Sequence, residues 1–275
     1  MKTAFKILPE AGGQQPAHLL IEAGWEGISF VYYSKDPFQV RGLYIYHFKK
    51  NITALEIADE LTAFFKEENL PAYTRCHICY NFKESTLVPS AMYKENMQEK
   101  MLEVIYNTSI QASCYAEKIE DSAMHNVYRV DNNIHTALLQ QYPSAQTHHS
   151  SSLMLQTLKQ KGNSLYCTVY QNSIKVFIFK DNLVQLVQFF EYTTPADVAY
   201  QLLNICQQHQ MNTQELTLML SGFIDKKSNL FDELFRYFLN IELMEQDEAI
   251  TTAQAVSQYP AHFFSHLILL VKCVS

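Results

Sequence analysis

The hydrophobic pattern of this chain gives the same order of elements twice, and this repetition restricts the fold more than any other feature. Each half begins with three strands and continues with a helix, a fourth strand and a second helix, starting near Leu20 and near Leu165. The two series are offset by about 140 residues, as expected for a duplicated supersecondary unit. We therefore predict a two-lobed α/β protein with subdomains at residues 1–162 and 163–275. Two unrelated α/β regions that share common elements are the alternative.

The first half alternates with period two in its strands and carries apolar stripes in its helices. Two apolar runs within Leu20–Tyr33 flank a turn, and Val40–Phe48 alternates as a third strand. Thr53 and Glu56 form a capping box that begins a helix. The later elements are a strand, Tyr73–Phe82, with Cys76, Ile78, Tyr80 and Phe82 on one face; a helix with Met97, Met101, Val104 and Ile105 on its apolar face; and an extension with Met124–Val130 as strand and Asn133–Gln141 and Ser150–Lys161 as helices.

The second half repeats the series with clear turn and cap signals. Leu165–Lys180 gives two strands around Gln171 and Asn172, and Asp181-Asn182 turns into a third strand, Leu183–Tyr192. A helix follows, with Thr194 as its N-cap and Pro195 at its first position. The remaining elements are a strand at Leu216–Leu220, a helix introduced by Ser228, a strand at Ile241–Met244 and a closing helix at His262–Cys273.

Charge and hydropathy exclude several partners. The net charge is −7 and the pI is near 5.8, without a basic stripe, which argues against a nucleic-acid or anionic membrane surface. The longest aliphatic run, Leu267–Val271, is far shorter than a spanning helix, and the amino terminus has no apolar signal core. We therefore expect a cytoplasmic protein without membrane insertion. The six scattered cysteines fit reduced thiols better than a disulfide framework.

Glycine is scarce, with 7 residues in the 275-residue chain. The glycines have neither the spacing of a Walker A loop nor that of a nucleophile elbow, so P-loop enzymes and elbow-type hydrolases are excluded. Gly24 and Gly27 imitate part of a dinucleotide fingerprint, but they lie in a strand-to-strand turn, where a hairpin is the better interpretation.

Three other patterns favour structural roles. Cys76 and Cys79 form one Cys-x-x-Cys pair inside a strand, where they face opposite sides, so we expect no metal or redox site. His262 and His266 share a helical face without a third ligand, and aromatic packing or capping is favoured over chelation. For His148-His149 we expect capping by the following serines. A nuclease is disfavoured because Glu22 has no neighbouring carboxylates with which to hold two metal ions.

Three segments carry a resemblance to a known family. They are IEAGWEGISF at Ile21–Phe30, STLVPSAMY at Ser85–Tyr93 and QQYPSAQTHHSSSLMLQTL at Gln140–Leu158. With the repeated element order, they make the chain similar to a bacterial domain-of-unknown-function family with an actin-like ATPase fold. This fold belongs to the actin, sugar kinase and Hsp70 superfamily, and the resemblance implies two ribonuclease-H-like subdomains, each with a mixed sheet flanked by helices. The first-half extension resembles that of the bacterial actin-like protein of type IV pilus assembly.

The resemblance also implies where a nucleotide would bind. Active members hold ATP between the halves with two Asp-x-Gly loops, each joining the first two strands of one half, and with a Gly-Gly pair after the fourth strand of the second half. The corresponding segments here are Glu22-Ala23-Gly24, Val169-Tyr170-Gln171-Asn172 and Ser221-Gly222-Phe223. Glutamate replaces aspartate in the first, both signature residues are missing from the second, and a ring replaces the second glycine in the third. Glu22, Gly24 and Gly222 are therefore the candidate cofactor-binding positions, which we interpret as vestigial.

These observations predict a non-catalytic protein that binds or scaffolds a protein partner. We expect no catalytic residue, no metal ligand and no cofactor. The alternative is a nucleotide-binding actin-like ATPase that switches conformation with ATP and Mg²⁺, and a third possibility is a binder of another small ligand in the cleft.

Overall fold

A computed structural model of the chain describes residues 1–8, 17–120, 122–158, 162–245 and 249–275. The chain forms two compact units. The first comprises Met1–Thr157, Glu248–Gln258 and Leu269–Ser275, and the second comprises Leu158–Asp247 and Tyr259–Ile268. The subdomain division after residue 162 stays a prediction.

The first unit is built on a mixed sheet that is seven-stranded within the described residues, in the order β1-β4-β3-β2-β5-β9 with β15 on the edge of β4. The strands are β1 (Lys2–Ile7), β2 (His18–Gly24), β3 (Gly27–Ser34), β4 (Gln39–His47), β5 (Arg75–Asn81), β9 (Gln146–His149) and β15 (Thr251–Thr252). Strands β2, β5 and β9 run parallel, so their carboxyl ends lie along one edge. The helices of the unit include α1 (Ala54–Glu67) and α3 (Asn132–Gln141), which contribute Leu61 and Leu138 to its core.

A three-stranded antiparallel sheet forms the extension of the first unit. Its order is β6-β8-β7, with β6 (Ser85–Pro89), β7 (Ala112–Ile119) and β8 (Met124–Asp131). Helix α2 (Gln98–Glu103) lies between β6 and β7 in the chain, and α4 (Ser150–Thr157) follows β9. Two short helices, α7 (Gln254–Ser257) and α8 (Ser265–Cys273), lie near the carboxyl terminus.

The second unit has a mixed sheet in the order β12-β11-β10-β13-β14, with β10, β13 and β14 parallel. The strands are β10 (Ser164–Val169), β11 (Ser173–Lys180), β12 (Leu183–Glu191), β13 (Thr217–Gly222) and β14 (Asn240–Leu243). Helices α5 (Pro195–Gln208) and α6 (Asn229–Phe235) bury Leu202 and Leu234 against it.

The predicted caps are confirmed where local chemistry sets them. Thr53 and Glu56 form both bonds of a capping box at α1, and Thr194 does the same with Asp197 at α5. The Ser228 hydroxyl accepts from the Phe231 N–H at the start of α6. Each cap satisfies helix N–H groups that would otherwise lack a partner, which is why the sequence predicts these positions well.

Four predicted helical features need correction. Helix α2 ends at Glu103, so Val104 is 85% exposed and Ile105 58% exposed, while Leu102 is the buried residue. Helix α4 ends at Thr157 and Leu158 is not helical, while residues 159–161 of the predicted helix lie outside the described residues. The closing segment is interrupted: Ala261–Phe263 is a 3₁₀ turn and α8 begins at Ser265. His262 and His266 therefore lie on different elements and not on one helical face.

Within the described part of the chain, no helix is long and apolar enough to cross a membrane. The cytoplasmic location stays a prediction.

Candidate functional site

The first candidate loop joins β2 to β3 in the first unit. Glu22 lies on β2 between Ser29 and Cys79 of the flanking strands and is 5% exposed. Gly24 ends the strand, and a Cβ there would come 2.9 Å from the Asn81 carbonyl oxygen. The next residue, Trp25, packs edge-on against Phe82 with 5.6 Å between ring centroids. Gly24 is thus required for close packing against β5.

The second and third candidate loops meet at the carboxyl edge of the second unit. Val169 ends β10 and lies opposite Gly222, which ends the parallel neighbour β13. Gly222 has φ of +82°, and a Cβ there would come 2.2 Å from the Val169 carbonyl oxygen. That oxygen also accepts a 2.8 Å hydrogen bond from the Phe223 N–H. The two loops are therefore closed against each other by their own backbone.

The hairpin of the second loop is closed as well. The Tyr170 N–H donates to the Ser173 carbonyl at 2.8 Å, and the Tyr192 hydroxyl donates to the Tyr170 carbonyl at 3.0 Å. Phosphate-binding loops work by aiming unpaired backbone N–H groups at the anion. At Tyr170 and Phe223 these donors are directed to protein carbonyls.

No cluster of three or more His, Cys, Asp or Glu side chains within the described ranges has the geometry of a metal site. Cys76 and Cys79 are both buried, and burial raises the pKa of the Cys76 thiol to about 12. The His262 Nε2 lies 2.7 Å from the Ile224 carbonyl, and the ring of His266 packs edge-on against Tyr170. His262 therefore has a hydrogen-bond contact and His266 a ring-packing contact.

A buried polar cluster, missed by sequence reasoning, lies where β5 and β9 end in the first unit. We define it as Asn81, Glu117, Asn126 and His149–Ser152, which are all buried except Glu117. The Asn126 amide donates to His149 Nδ1 and to the Ser152 hydroxyl, each at 3.0 Å. The Glu117 carboxylate accepts from the His149 N–H at 3.0 Å and from the Tyr128 hydroxyl at 2.9 Å.

His149 is the centre of this polar cluster. Its Nδ1 accepts from the Ser151 N–H at 3.2 Å, which leaves Nε2 as the protonated nitrogen that donates to the Phe82 carbonyl at 3.2 Å. The imidazole therefore caps α4, which corrects the expectation that the following serines provide the cap at this junction. The Ser151 hydroxyl is fully buried and has no hydrogen-bond partner within the described part of the chain. The only sequence signal for this cluster is the polar run His148–Ser152 directly after a strand.

Two further histidines share a face of the same sheet. His77 Nδ1 lies 3.5 Å from His148 Nε2, with the rings stacked at 5.7 Å. Burial lowers the pKa of His77 to about 4, and the positive charge of a protonated His148 acts in the same direction. Burial also lowers the pKa of His148, so the neutral form is favoured for both rings near pH 7.

The second unit buries a lysine. Lys175 on β11 is fully buried, and its Nζ lies 5.3 Å from the ring centre of Phe177 and 5.1 Å from that of Phe189. Burial lowers the pKa of His266 to about 3, and Lys175 contributes to the same shift. A lysine within the apolar run Ile174–Phe179 is the sequence signal that predicts such a position.

Large apolar side chains are exposed in two connecting segments. Val104, Ile105 and Ile110 lie between α2 and β7 in the first unit. In the second unit Phe235 ends α6, and Tyr237 and Leu239 lie between α6 and β14. Exposed apolar residues that recur within one segment are typical of interaction surfaces.

Solved structures give the fold. A protein of unknown function with an actin-like ATPase fold from Bacteroides thetaiotaomicron superposes with a TM-score of 0.77 at 19% identity, covering 96% of this chain and 99% of that chain. The PilM–PilN type IV pilus biogenesis complex superposes with a TM-score of 0.65 at 13% identity, covering 94% of this chain and 98% of that chain. The cytoplasmic domain of EpsL, an inner membrane component of the Vibrio cholerae type II secretion system, gives 0.52 at 10% identity, covering 94% of each chain.

These likenesses confirm the predicted fold class, and this chain has the actin-like ATPase fold with mixed sheets flanked by helices. No curated protein sequence matches the chain. The family described as "Protein of unknown function (DUF3822)" matches residues 11–241, most of the chain, and this protein belongs to that family.

Proposed function

We propose that this protein is a non-catalytic member of the actin-like fold that binds a protein partner, and that its nucleotide positions are vestigial. The observation that carries the proposal is the contact of Gly222 and Phe223 with the Val169 carbonyl, at the point where the second and third loops would receive a nucleotide.

The proposal follows from what a triphosphate requires. Its oxygens need several backbone N–H groups that converge without internal partners, together with carboxylates that hold Mg²⁺ and its waters. The N–H groups of Tyr170 and Phe223 donate to protein carbonyls instead. The second loop, Val169–Asn172, contains no acid.

The first loop supplies one carboxylate, that of Glu22, but this residue is buried within a strand and does not lie in an exposed loop. Glu22 lies within β2, where both neighbouring strands flank it. Moving this side chain to a solvated ion would require a change in a buried strand. Gly24 is occupied in packing against the Asn81 carbonyl, so its lack of a side chain has a structural reason.

Protein binding is supported by the exposed apolar segments near Ile110 and Phe235. Apolar and aromatic side chains dominate the cores of protein interfaces. PilM, a structural relative, is found in a complex with PilN. A partner-binding role uses the fold in a comparable way and requires no chemistry from it.

A nucleotide-dependent switch is the second candidate, and one observation favours it. Ser151 lies in the first turn of α4 at the carboxyl edge of the parallel strands, and its buried hydroxyl finds no partner among the described residues. Helix N-termini at such edges are common anion sites. The His149 ring already caps this helix, which is why we place the switch second.

Affinity purification of the protein from its native host, after enzymatic removal of nucleotides, tests the proposal. We expect a stoichiometric partner whose recovery is unchanged when Mg·ATP or Mg·ADP is added back. Recovery that requires ATP would favour the switch. A double substitution at the exposed Val104 and Ile110 to Ser, with exposed Leu8→Ser as the matched control, tests whether the first apolar segment contributes to the contact.

A further inference from the structure

The edges of the two main sheets are protected to different degrees. In the first unit, the outer edge of the third strand, β4, is covered by β1 along Leu43–His47 and by β15 at Gln39–Val40. Strand β1 itself carries Lys2 and Lys6, and lysines on an edge strand discourage further pairing.

The equivalent third strand of the second unit, β12, has no such cover in the described part of the chain. It pairs with β11, and it is the end of its sheet. It is nine residues long and contains no Lys, Arg or Pro. The opposite edge of this sheet, β14, has four residues, and a short edge is itself a form of protection. Strand β12 is therefore an unprotected template for strand addition.

The sequence of β12 also indicates which strand would pair with its free edge. Residues Leu186–Phe190 read apolar-apolar-Gln-apolar-apolar, which is symmetric in character about Gln188. Charge is nearly absent, since Glu191 is the one ionisable residue of the strand. A strongly acidic or basic partner strand would meet no complementary charge on β12. A second copy of β12, running antiparallel, would place apolar residues opposite apolar residues.

We propose that β12 pairs antiparallel with β12 of a second copy of this chain, across a two-fold axis at Gln188. In this register Leu186 lies opposite Phe190 of the copy, and Val187 lies opposite Phe189. Directly opposite residues of an antiparallel pair share a sheet face, so each apolar residue meets an apolar residue on its own face. The two Gln188 side chains meet at the axis, where amides donate and accept hydrogen bonds.

The bulge in β12 limits the pairing to the second part of the strand. The register with β11 shifts between Leu186 and Val184, so Gln185 is the extra residue. A bulge bends the strand away from a regular edge. The paired segment is thus short, and we expect a weak, concentration-dependent dimer and not an obligate one.

Sedimentation velocity of the full chain from about 5 to about 500 µM tests the proposal. We expect the weight-average mass to rise from that of a monomer towards twice that value. Gln188→Lys places two like charges opposite each other at the axis and is expected to weaken self-association by about tenfold or more. Gln188 is exposed, so the monomer keeps its fold, as circular dichroism will verify.

A charge-swap mixture separates the β12 register from other modes of association. Gln188→Lys and Gln188→Glu are each expected to be impaired separately, and an equimolar mixture is expected to recover the wild-type association. Gln185→Lys, exposed on the same strand but outside the axis, is the matched control and should retain dimerisation. A wild-type chain that remains monomeric to the highest concentration overturns the proposal, as does a Gln188→Lys variant that dimerises like the wild type.

Discussion

The carbonyl oxygen of Val169 lies against Gly222, at a distance of 2.2 Å from the position that a Cβ on residue 222 would take. The two residues are directly opposite on the parallel strands β10 and β13. Gly222 also has φ of +82°, a conformation that side-chain-bearing residues rarely adopt. A glycine at the position of a ligand loop therefore has a structural requirement of its own.

We predict that Gly222→Ala destabilises the protein by about 2 to 4 kcal/mol, because backbone strain and a clash with a carbonyl act together. Urea denaturation followed by fluorescence measures the change. Gly162→Ala is the control: its φ is +57°, but among the described residues beyond its chain neighbours no atom lies within 4 Å of the added Cβ. The control should lower the free energy of unfolding by about 1 kcal/mol, because only the strain of the positive φ acts there. Equal losses in the two variants would contradict the proposed contact.

A second prediction concerns the polar cluster around His149. Asn126→Ala removes the amide that donates to His149 and Ser152, so the buried Ser152 hydroxyl loses this donor and His149 Nδ1 keeps only the Ser151 N–H of the two donors described. The expected loss of unfolding free energy is about 1 to 3 kcal/mol. Asn204→Ala, at a half-buried position of α5, should be neutral or slightly stabilising because alanine favours the helix. A neutral Asn126→Ala would show that the cluster does not stabilise the end of β9.

The histidines on the main sheet predict a dependence of stability on pH. His77 has a pKa lowered from 6.5 to about 4 by burial and by its neighbours His148, Lys35, His18 and Arg75. The folded chain then binds fewer protons than the unfolded chain, so the free energy of unfolding falls as pH drops from about 6.5 towards about 4.

His77→Asn is expected to make this decline shallower, whatever its effect at neutral pH. Denaturation curves at closely spaced pH values between about 7.5 and about 4.5 measure the slope. His209→Asn provides the control, because His209 is only half-buried at the end of α5. An unchanged slope in His77→Asn would show that this imidazole titrates in the folded protein as it does in the unfolded chain.

The elements that the sequence predicts correctly are those specified locally. The capping boxes at Thr53 and Thr194 are each formed by residues within a four-residue segment. The turn at Asp181-Asn182 has φ values of 53° and 62°, the left-handed conformations that these residues tolerate in a two-residue hairpin. The order of strands and helices follows from such local signals, and the fold class could therefore be predicted.

The features that sequence reasoning misses depend on distant partners. Strand β15 has two residues and pairs with β4, more than 200 residues earlier in the chain. His149 finds its partners at Asn126 and Glu117, which reach it from a separate sheet. At Val104, apolar composition suggested burial, but the helix ends one residue earlier and the side chain faces solvent.

Isothermal titration calorimetry of the full chain with Mg·ATP tests the central claim most directly. The loops around Val169 and Gly222 are bonded within the protein, so we predict no binding heat at nucleotide concentrations up to about 1 mM, for the wild type and for Glu22→Ala alike. Micromolar binding by the wild type that disappears in Glu22→Ala would contradict the account and identify a working nucleotide site.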